Sequence, residues 1–167
     1  KRMANRKQKE KEIKYYFAYG SNMNHEHMKF RCPKAKFIET YKLPGYELVF
    51  RSVADVQQSE DSSVTGALFE ITNDCERSLD VYEGYPNLYI KKYVNRWHDD
   101  MNKFLPQRVM FYSMVDKHGV YPPSQGYFQT IKQGYKDCNL STKPLMIAAK
   151  NSIIAEFELP NSAIIEF

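Results

Sequence analysis

The sequence is poor in cysteine and has no closely spaced cysteine pair. Cys32, Cys75 and Cys138 are far apart and odd in number. Zinc sites and disulfide frameworks need characteristic cysteine spacings, so we expect neither, and free thiols suit a reducing cytoplasm. The histidines add no metal site, because His25 and His27 stand two residues apart on a predicted helix and point away from each other.

Long apolar runs and glycine-rich nucleotide motifs are also missing. No apolar run approaches the roughly 20 residues that cross a bilayer, and the first residues are charged, so we expect no membrane association and no signal peptide. No G-x-G-x-x-G, P-loop or G-x-S-x-G motif occurs, which argues against the corresponding nucleotide and serine-hydrolase sites. The net charge of +4 comes from residues 1–12, and the near-neutral remainder gives no reason to expect nucleic acid as a partner.

Aromatic residues are abundant, and they concentrate in the stretch KYYFAYGSN at 14–22. The run from Tyr15 to Tyr19 lacks polar alternation, which predicts a strand buried on both faces. Gly20, Ser21 and Asn22 end this strand with small residues. Such an end presents backbone N–H groups at the edge of a cavity, where carboxylate or carbonyl oxygens can bind.

The order of predicted elements indicates an α+β fold. Strands outnumber helices and do not alternate with them regularly, which favours a small, mixed, mainly antiparallel β-barrel or sheet with a few surrounding helices. The polar residues 51–63 are predicted to form a loop. Strands are predicted at 14–19, 36–41, 46–50, 64–71, 88–97 and 108–115, with a turn at 43–45 and a polar loop containing Pro106 before the last strand. Helices are predicted at 23–31, 73–83 and 125–138. Asn73 and Ser124 are the expected caps of the second and third helices, and Gly84 is expected to end the second.

We expect three parts along the chain. Residues 1–13 form a charged N-terminal arm, residues 14–150 form one domain, and residues 151–167 form a C-terminal hairpin or extension. The pieces NSIIAEF and NSAIIEF in the last part resemble each other, which suggested the hairpin.

Two segments contain candidates for chemistry. In LDVYEGYP at 79–86, Glu83 lies four residues after Leu79, so both should share the core-facing side of a helix. A carboxylate placed there is desolvated, which raises its pKa and makes it a candidate general base. The alternatives are a structural Glu83 hydrogen-bonded to the backbone and a Glu83 exposed at a frayed helix end. In YPPSQGY at 121–127, Tyr127 either orients a bound polar molecule or is a core aromatic residue.

Taken together, these segments resemble the gamma-glutamylcyclotransferase-like family, which includes the AIG2-like proteins. The matching segments occur in the family's order and cover roughly residues 14–135. They are YFAYGSNM at 16–23, LPGYELVF at 43–50, SSVTGALFEI at 62–71, LDVYEGYP at 79–86 and PPSQGYFQTIKQG at 122–134.

The resemblance implies a small barrel with a central cavity and an enzyme that needs no cofactor and no metal. Family members release 5-oxoproline from small gamma-glutamyl amides or peptides by attack of the glutamyl amine on its own gamma-carbonyl. By motif, Glu83 takes the place of the catalytic acid/base, and the bulky Tyr82 before it should narrow the cavity. The implied substrate-binding residues are Tyr16, Phe17, Ala18, Tyr19, Gly20, Ser21, Asn22 and Tyr127.

Other functions remain open at the level of sequence. One is a non-catalytic module that uses the same cavity to bind a small metabolite. Another is an interaction protein whose basic residues 1–12 contact an acidic surface. A monomer and a homodimer are both compatible with the sequence.

Overall fold

The computed structural model describes residues 13–158, which form one five-stranded sheet and four α-helices. The strands are β1 (Lys14–Ala18), β2 (Lys36–Arg51), β3 (Val53–Ile71), β4 (Tyr89–His98) and β5 (Lys103–Met114). The helices are α1 (His25–Arg31), α2 (Asn73–Glu83), α3 (Gln125–Asp137) and α4 (Lys143–Glu158), and a short 3-10 turn spans Ser21–Met23. None of the described helices is long and apolar enough to cross a membrane.

The sheet has the order β2-β3-β1-β5-β4, and every neighbouring pair is antiparallel except β1 and β5. The predicted α+β, mainly antiparallel fold is therefore confirmed. The predicted closure into a barrel is wrong, because the sheet is open, with β2 and β4 at its edges. Side chains of β2 and β4 connect these edges instead. The Tyr41 hydroxyl accepts a hydrogen bond from the backbone N–H of Trp97 at 3.0 Å, and Arg96 forms an ion pair with Glu39.

Strand β1 lies in the middle of the sheet, and its uninterrupted aromatic sequence predicted a strand buried on both faces. It pairs with β3 on one side and β5 on the other, and Tyr16, Phe17 and Ala18 are buried. The neighbouring strand approaches so closely at Gly66 that a Cβ there would lie 2.2 Å from the Ala18 carbonyl oxygen. The close packing fixes the end of β1, where the polar residues begin.

The prediction of a loop at 51–63 is wrong. Strand β3 begins at Val53 and forms a long hairpin with β2, and the two strands turn at Ser52, whose φ is 66°. The backbone ladder does not require apolar side chains, and most polar side chains of this stretch are exposed on the hairpin. The expected turn at 43–45 is instead an irregularity within β2, between Pro44 and Tyr46.

Helix α2 begins and ends close to the predicted positions. The Thr72 side chain caps it by accepting a hydrogen bond from the Cys75 N–H at 3.2 Å, so the cap is Thr72 rather than the predicted Asn73. Gly84 ends the helix in the left-handed conformation with φ of 65°, which suits glycine. Glu83 is therefore the last helical residue.

The later elements extend further than predicted. Pro106 lies within β5 rather than in a long loop, and α4 passes residue 150 without a break. Residues 151–158 are thus helical, where the sequence suggested a hairpin or an extension. Ser124 caps α3 as predicted, accepting a hydrogen bond from the Tyr127 N–H at 3.3 Å. Residues 1–12 and 159–167 lie outside the described part, and the three-part division stays a prediction.

Helix α3 packs on the turn after β1 through Gly134. A Cβ at Gly134 would lie 2.6 Å from the Asn24 backbone nitrogen and 2.7 Å from Met23 Cβ. We expect Gly134→Ala to destabilise the fold by roughly 1–3 kcal/mol, because the added methyl group must displace backbone. Gly126→Ala in the same helix is the control. A Cβ added at Gly126 would meet no packed neighbour within 4 Å, so we expect the stability of the fold to be unchanged or increased. Urea unfolding of both variants measures the difference, and equal stabilities would contradict the packing.

Candidate active site

A cavity of about 170 Å³ lies where β1 ends. Its wall combines the residues after β1 with the start of β3, the end of α2, the start of β4 and the first turn of α3. The lining residues are Tyr16, Tyr19, Gly20, Ser21, Asn22, Val53, Ala54, Tyr82, Glu83, Leu88, Tyr89 and Tyr127. Five separate segments of the chain therefore meet at one small space.

Glu83 is the ionisable acid among the lining residues. Leu79, one turn earlier on α2, is fully buried, and this directs the same face of the helix inward. Burial raises the pKa of the Glu83 carboxyl from its ordinary value of 4.5 to about 7, and the positive charge of Arg31 opposes this rise. Glu83 thus lies in the cavity wall, as the spacing from Leu79 predicted, and exchanges a proton near neutral pH.

The polar residues after β1 contact the end of α2. The Asn22 amide nitrogen donates to the Tyr16 hydroxyl at 3.1 Å and to Glu83 Oε1 at 3.4 Å. The hydroxyls of Ser21 and Tyr82 lie 2.9 Å apart and share a hydrogen bond. Tyr82 therefore narrows the cavity, as its bulk predicted.

Two tyrosines hold the start of β3 from the opposite side. The Tyr127 hydroxyl accepts a hydrogen bond from the Ala54 N–H at 3.0 Å, and the Tyr89 hydroxyl donates to the Ala54 carbonyl oxygen at 2.7 Å. Burial raises the pKa of both tyrosines, so both are neutral at pH 7. Tyr127 thus lines the cavity and has a hydrogen-bonded hydroxyl, and its role in orienting a bound molecule stays a prediction.

Phe17 and Ala18 are not part of the cavity wall. Phe17 is 0% exposed and packs edge-on against Tyr41, and Ala18 is buried in the same core. Side chains alternate between the faces of a strand, so Phe17 points away from the side that Tyr16 occupies, and Ala18 has only a methyl group. Neither residue lines the cavity, so their predicted role in substrate binding stays a prediction that the position of their side chains does not support.

Sequence reasoning missed several lining residues. Val53 and Ala54 belong to the segment that was predicted to be a loop, and Leu88 and Tyr89 follow α2 without a recognisable motif. Arg31, which does not line the cavity, was missed as well. It donates to Asn22 Oδ1 at 2.9 Å, and its guanidinium carbon lies 3.5 Å from the centre of the Tyr82 ring. No motif in the sequence marks Arg31, because its contacts with Asn22 and Tyr82 are set by the packing of α1.

The site has the chemistry of proton transfer. One carboxyl with a pKa near 7 faces neutral tyrosines, an amide side chain and the backbone of Gly20 and Ser21. Within residues 13–158, no group of three or more His, Cys, Asp or Glu side chains is arranged to hold a metal ion.

The chain is similar to known proteins in both sequence and fold. The family model for "Gamma-glutamyl cyclotransferase, AIG2-like" matches residues 16–130. The solved structure of a gamma-glutamyl cyclotransferase is 27% identical, with a TM-score of 0.69 over 83% of this chain and 86% of the other. An uncharacterized protein from Homo sapiens is 25% identical, with a TM-score of 0.68 over 90% of each chain.

YkqA from Bacillus subtilis shares the fold at 20% identity and a TM-score of 0.66, and the match covers 86% of this chain but 55% of YkqA. No curated protein matches the chain by sequence.

The raised pKa of Glu83 makes stability depend on pH. Unfolding restores the ordinary pKa, so the native state loses stability as pH rises from about 4.5 to about 7. We expect Glu83→Gln to be more stable than the wild type at pH 8, by on the order of 1–3 kcal/mol, and about equally stable below pH 4.5. Glu26→Gln, at an exposed position of α1, is the matched control. Urea unfolding at both pH values measures this, and a pH-independent difference would contradict the burial of the charge.

Proposed function

Because the chain belongs to the gamma-glutamyl cyclotransferase, AIG2-like family, we propose that it cyclises the gamma-glutamyl group of a small amide or peptide to 5-oxoproline and releases the amine. The observation that carries the proposal is the Glu83 carboxyl, which lines the cavity with a pKa of about 7. No metal or cofactor takes part in the proposed reaction.

Glu83 is the proposed acid/base. The glutamyl amine attacks only when it is neutral, so its ammonium form must first give a proton to a base. A carboxylate with a pKa near 7 accepts that proton at neutral pH and can return one to the departing amine. The bond from the alpha-nitrogen to the gamma-carbon forms, and the original amide bond breaks. Ring closure is intramolecular, so holding the substrate in a bent geometry supplies much of the acceleration.

The backbone after β1 is the proposed site for the developing oxyanion. Gly20 and Ser21 line the cavity at the start of the 3-10 turn, where the first N–H groups have no helical carbonyl to bind. Donors placed beside the developing negative charge typically contribute about 10²–10³ in rate. Tyr16, Tyr19 and Asn22 are proposed to hold the rest of the glutamyl group, with Tyr127 on the far side.

The size of the cavity limits what it can enclose. Its volume of about 170 Å³ is below the roughly 300–1,000 Å³ typical of sites for drug-sized ligands. We therefore place only the glutamyl group inside it. The leaving amine lies at the mouth, beside Tyr82 and Leu88, which are 42% and 49% exposed.

The direct test is product formation. Purified protein is incubated with gamma-glutamyl amino acids, gamma-glutamyl amines and glutathione, and 5-oxoproline is measured by mass spectrometry. We expect turnover of at least one substrate, loss of at least about 10²-fold in Glu83→Gln, and retention of activity in Glu26→Gln. Folded wild-type protein that stabilises on ligand binding but forms no 5-oxoproline would instead identify a binding module.

The pH profile tests the role of Glu83 separately. The carboxyl must be ionised in the free enzyme, so kcat/KM should fall about tenfold per pH unit below its pKa of about 7. Initial rates at subsaturating substrate between pH 5 and 8 measure this fall in kcat/KM. A kcat/KM that stays constant down to pH 5 would show that Glu83 is not the acid/base.

A further inference from the structure

Arg31 lies behind the cavity wall, at the C-terminal end of α1, and it is not one of the lining residues. Its backbone carbonyl accepts a hydrogen bond from the Ser78 hydroxyl on α2 at 2.8 Å. This bond joins the end of α1 to the helix that ends in Glu83. The guanidinium group is therefore carried by an anchored segment.

The guanidinium group contacts two residues of the wall by different interactions. It donates from Nη1 to Asn22 Oδ1 at 2.9 Å, and its carbon lies 3.5 Å from the centre of the Tyr82 ring. A guanidinium group has only donors, so it must face the amide oxygen of Asn22 and not the amide nitrogen. The Asn22 nitrogen is consequently directed at Tyr16 and Glu83.

We propose that Arg31 is a positioning residue of this site, which fixes the orientation of the Asn22 amide and the Tyr82 ring and so places the donor that contacts the Glu83 carboxylate. This inference rests on the proposed function. Arg31 has no contact with the reacting atoms and acts through its two neighbours. Its charge has a second consequence, because it favours the ionised form of Glu83.

The other ionisable groups around Glu83 cannot replace this charge. Five of those groups are tyrosines whose pKa is raised by burial, and each is neutral at pH 7: Tyr16, Tyr19, Tyr89, Tyr112 and Tyr127. On α2, the ionisable residue next to Glu83 is Tyr82, and a tyrosine side chain carries no positive charge. Strand β3 contributes Asp55, whose carboxylate is bound by Arg51 and Lys117.

Two substitutions at Arg31 separate its charge from its shape. Arg31→Met removes the charge, and Arg31→Lys keeps it but loses the planar group that stacks on Tyr82. Arg77→Met is the matched control, because Arg77 is an exposed arginine of α2 that pairs with Asp74. Arg31→Gln replaces Arg31→Met if the latter does not fold, as judged by circular dichroism.

The first measurement needs no turnover. The side-chain carboxyl carbon of Glu83 is followed by NMR from pH 4 to 9. An opposite charge nearby commonly lowers a carboxyl pKa by about 1–3 units, so we expect Arg31→Met to raise the midpoint by roughly half a unit or more. Arg31→Lys and Arg77→Met should leave the midpoint at about 7.

The second measurement is kcat and KM with the best gamma-glutamyl substrate. We expect both Arg31 variants to lose roughly tenfold or more in kcat/KM, because a small misplacement of positioning groups is costly, and Arg31→Met to shift the acid limb upward. Arg77→Met should match the wild type. An unchanged midpoint and unchanged kcat/KM in Arg31→Met would overturn the proposal. If the wild type turns over no substrate, the proposed function fails, while the NMR titration still tests Arg31.

Discussion

The burial of one carboxyl group at the end of α2 is the constraint on which the site depends. Desolvation of Glu83 raises its pKa to about 7, and this opposes folding at neutral pH by on the order of 1–3 kcal/mol. The same effect makes the carboxyl able to accept and return protons under physiological conditions. Stability and the proposed chemistry therefore set opposite requirements on a single side chain.

The fold supports this side chain through rigid neighbours. Leu79 anchors the inner face of α2, and Gly84 turns the chain immediately after Glu83. On the other side, α3 packs against the turn after β1 at Gly134, which leaves no space for a larger residue. Because packed helices and strands carry the side chains that line the cavity, its groups can hold a small molecule in one geometry.

The fold was partly predictable from particular segments. The uninterrupted aromatic run at 14–19 predicted a strand buried on both faces, and Ser124 and Gly84 marked the ends of helices correctly. The polar stretch at 51–63 misled the prediction, because a hairpin is held by its backbone ladder even where its side chains face solvent. Barrel closure could not be predicted either, because it depends on whether β2 and β4 pair, and sequence periodicity does not indicate which strands pair.

By itself, the sequence determined the family, the order of the main elements and the inward face of Glu83, because these depend on local spacing and short motifs. The tertiary structure alone decided which residues share the cavity. It placed Ala54 and Tyr89 in the wall, moved Phe17 into the core, and brought Arg31 against Asn22 and Tyr82. The physical reason is that such contacts join positions far apart along the chain, and their distances are fixed by how helices and strands pack together.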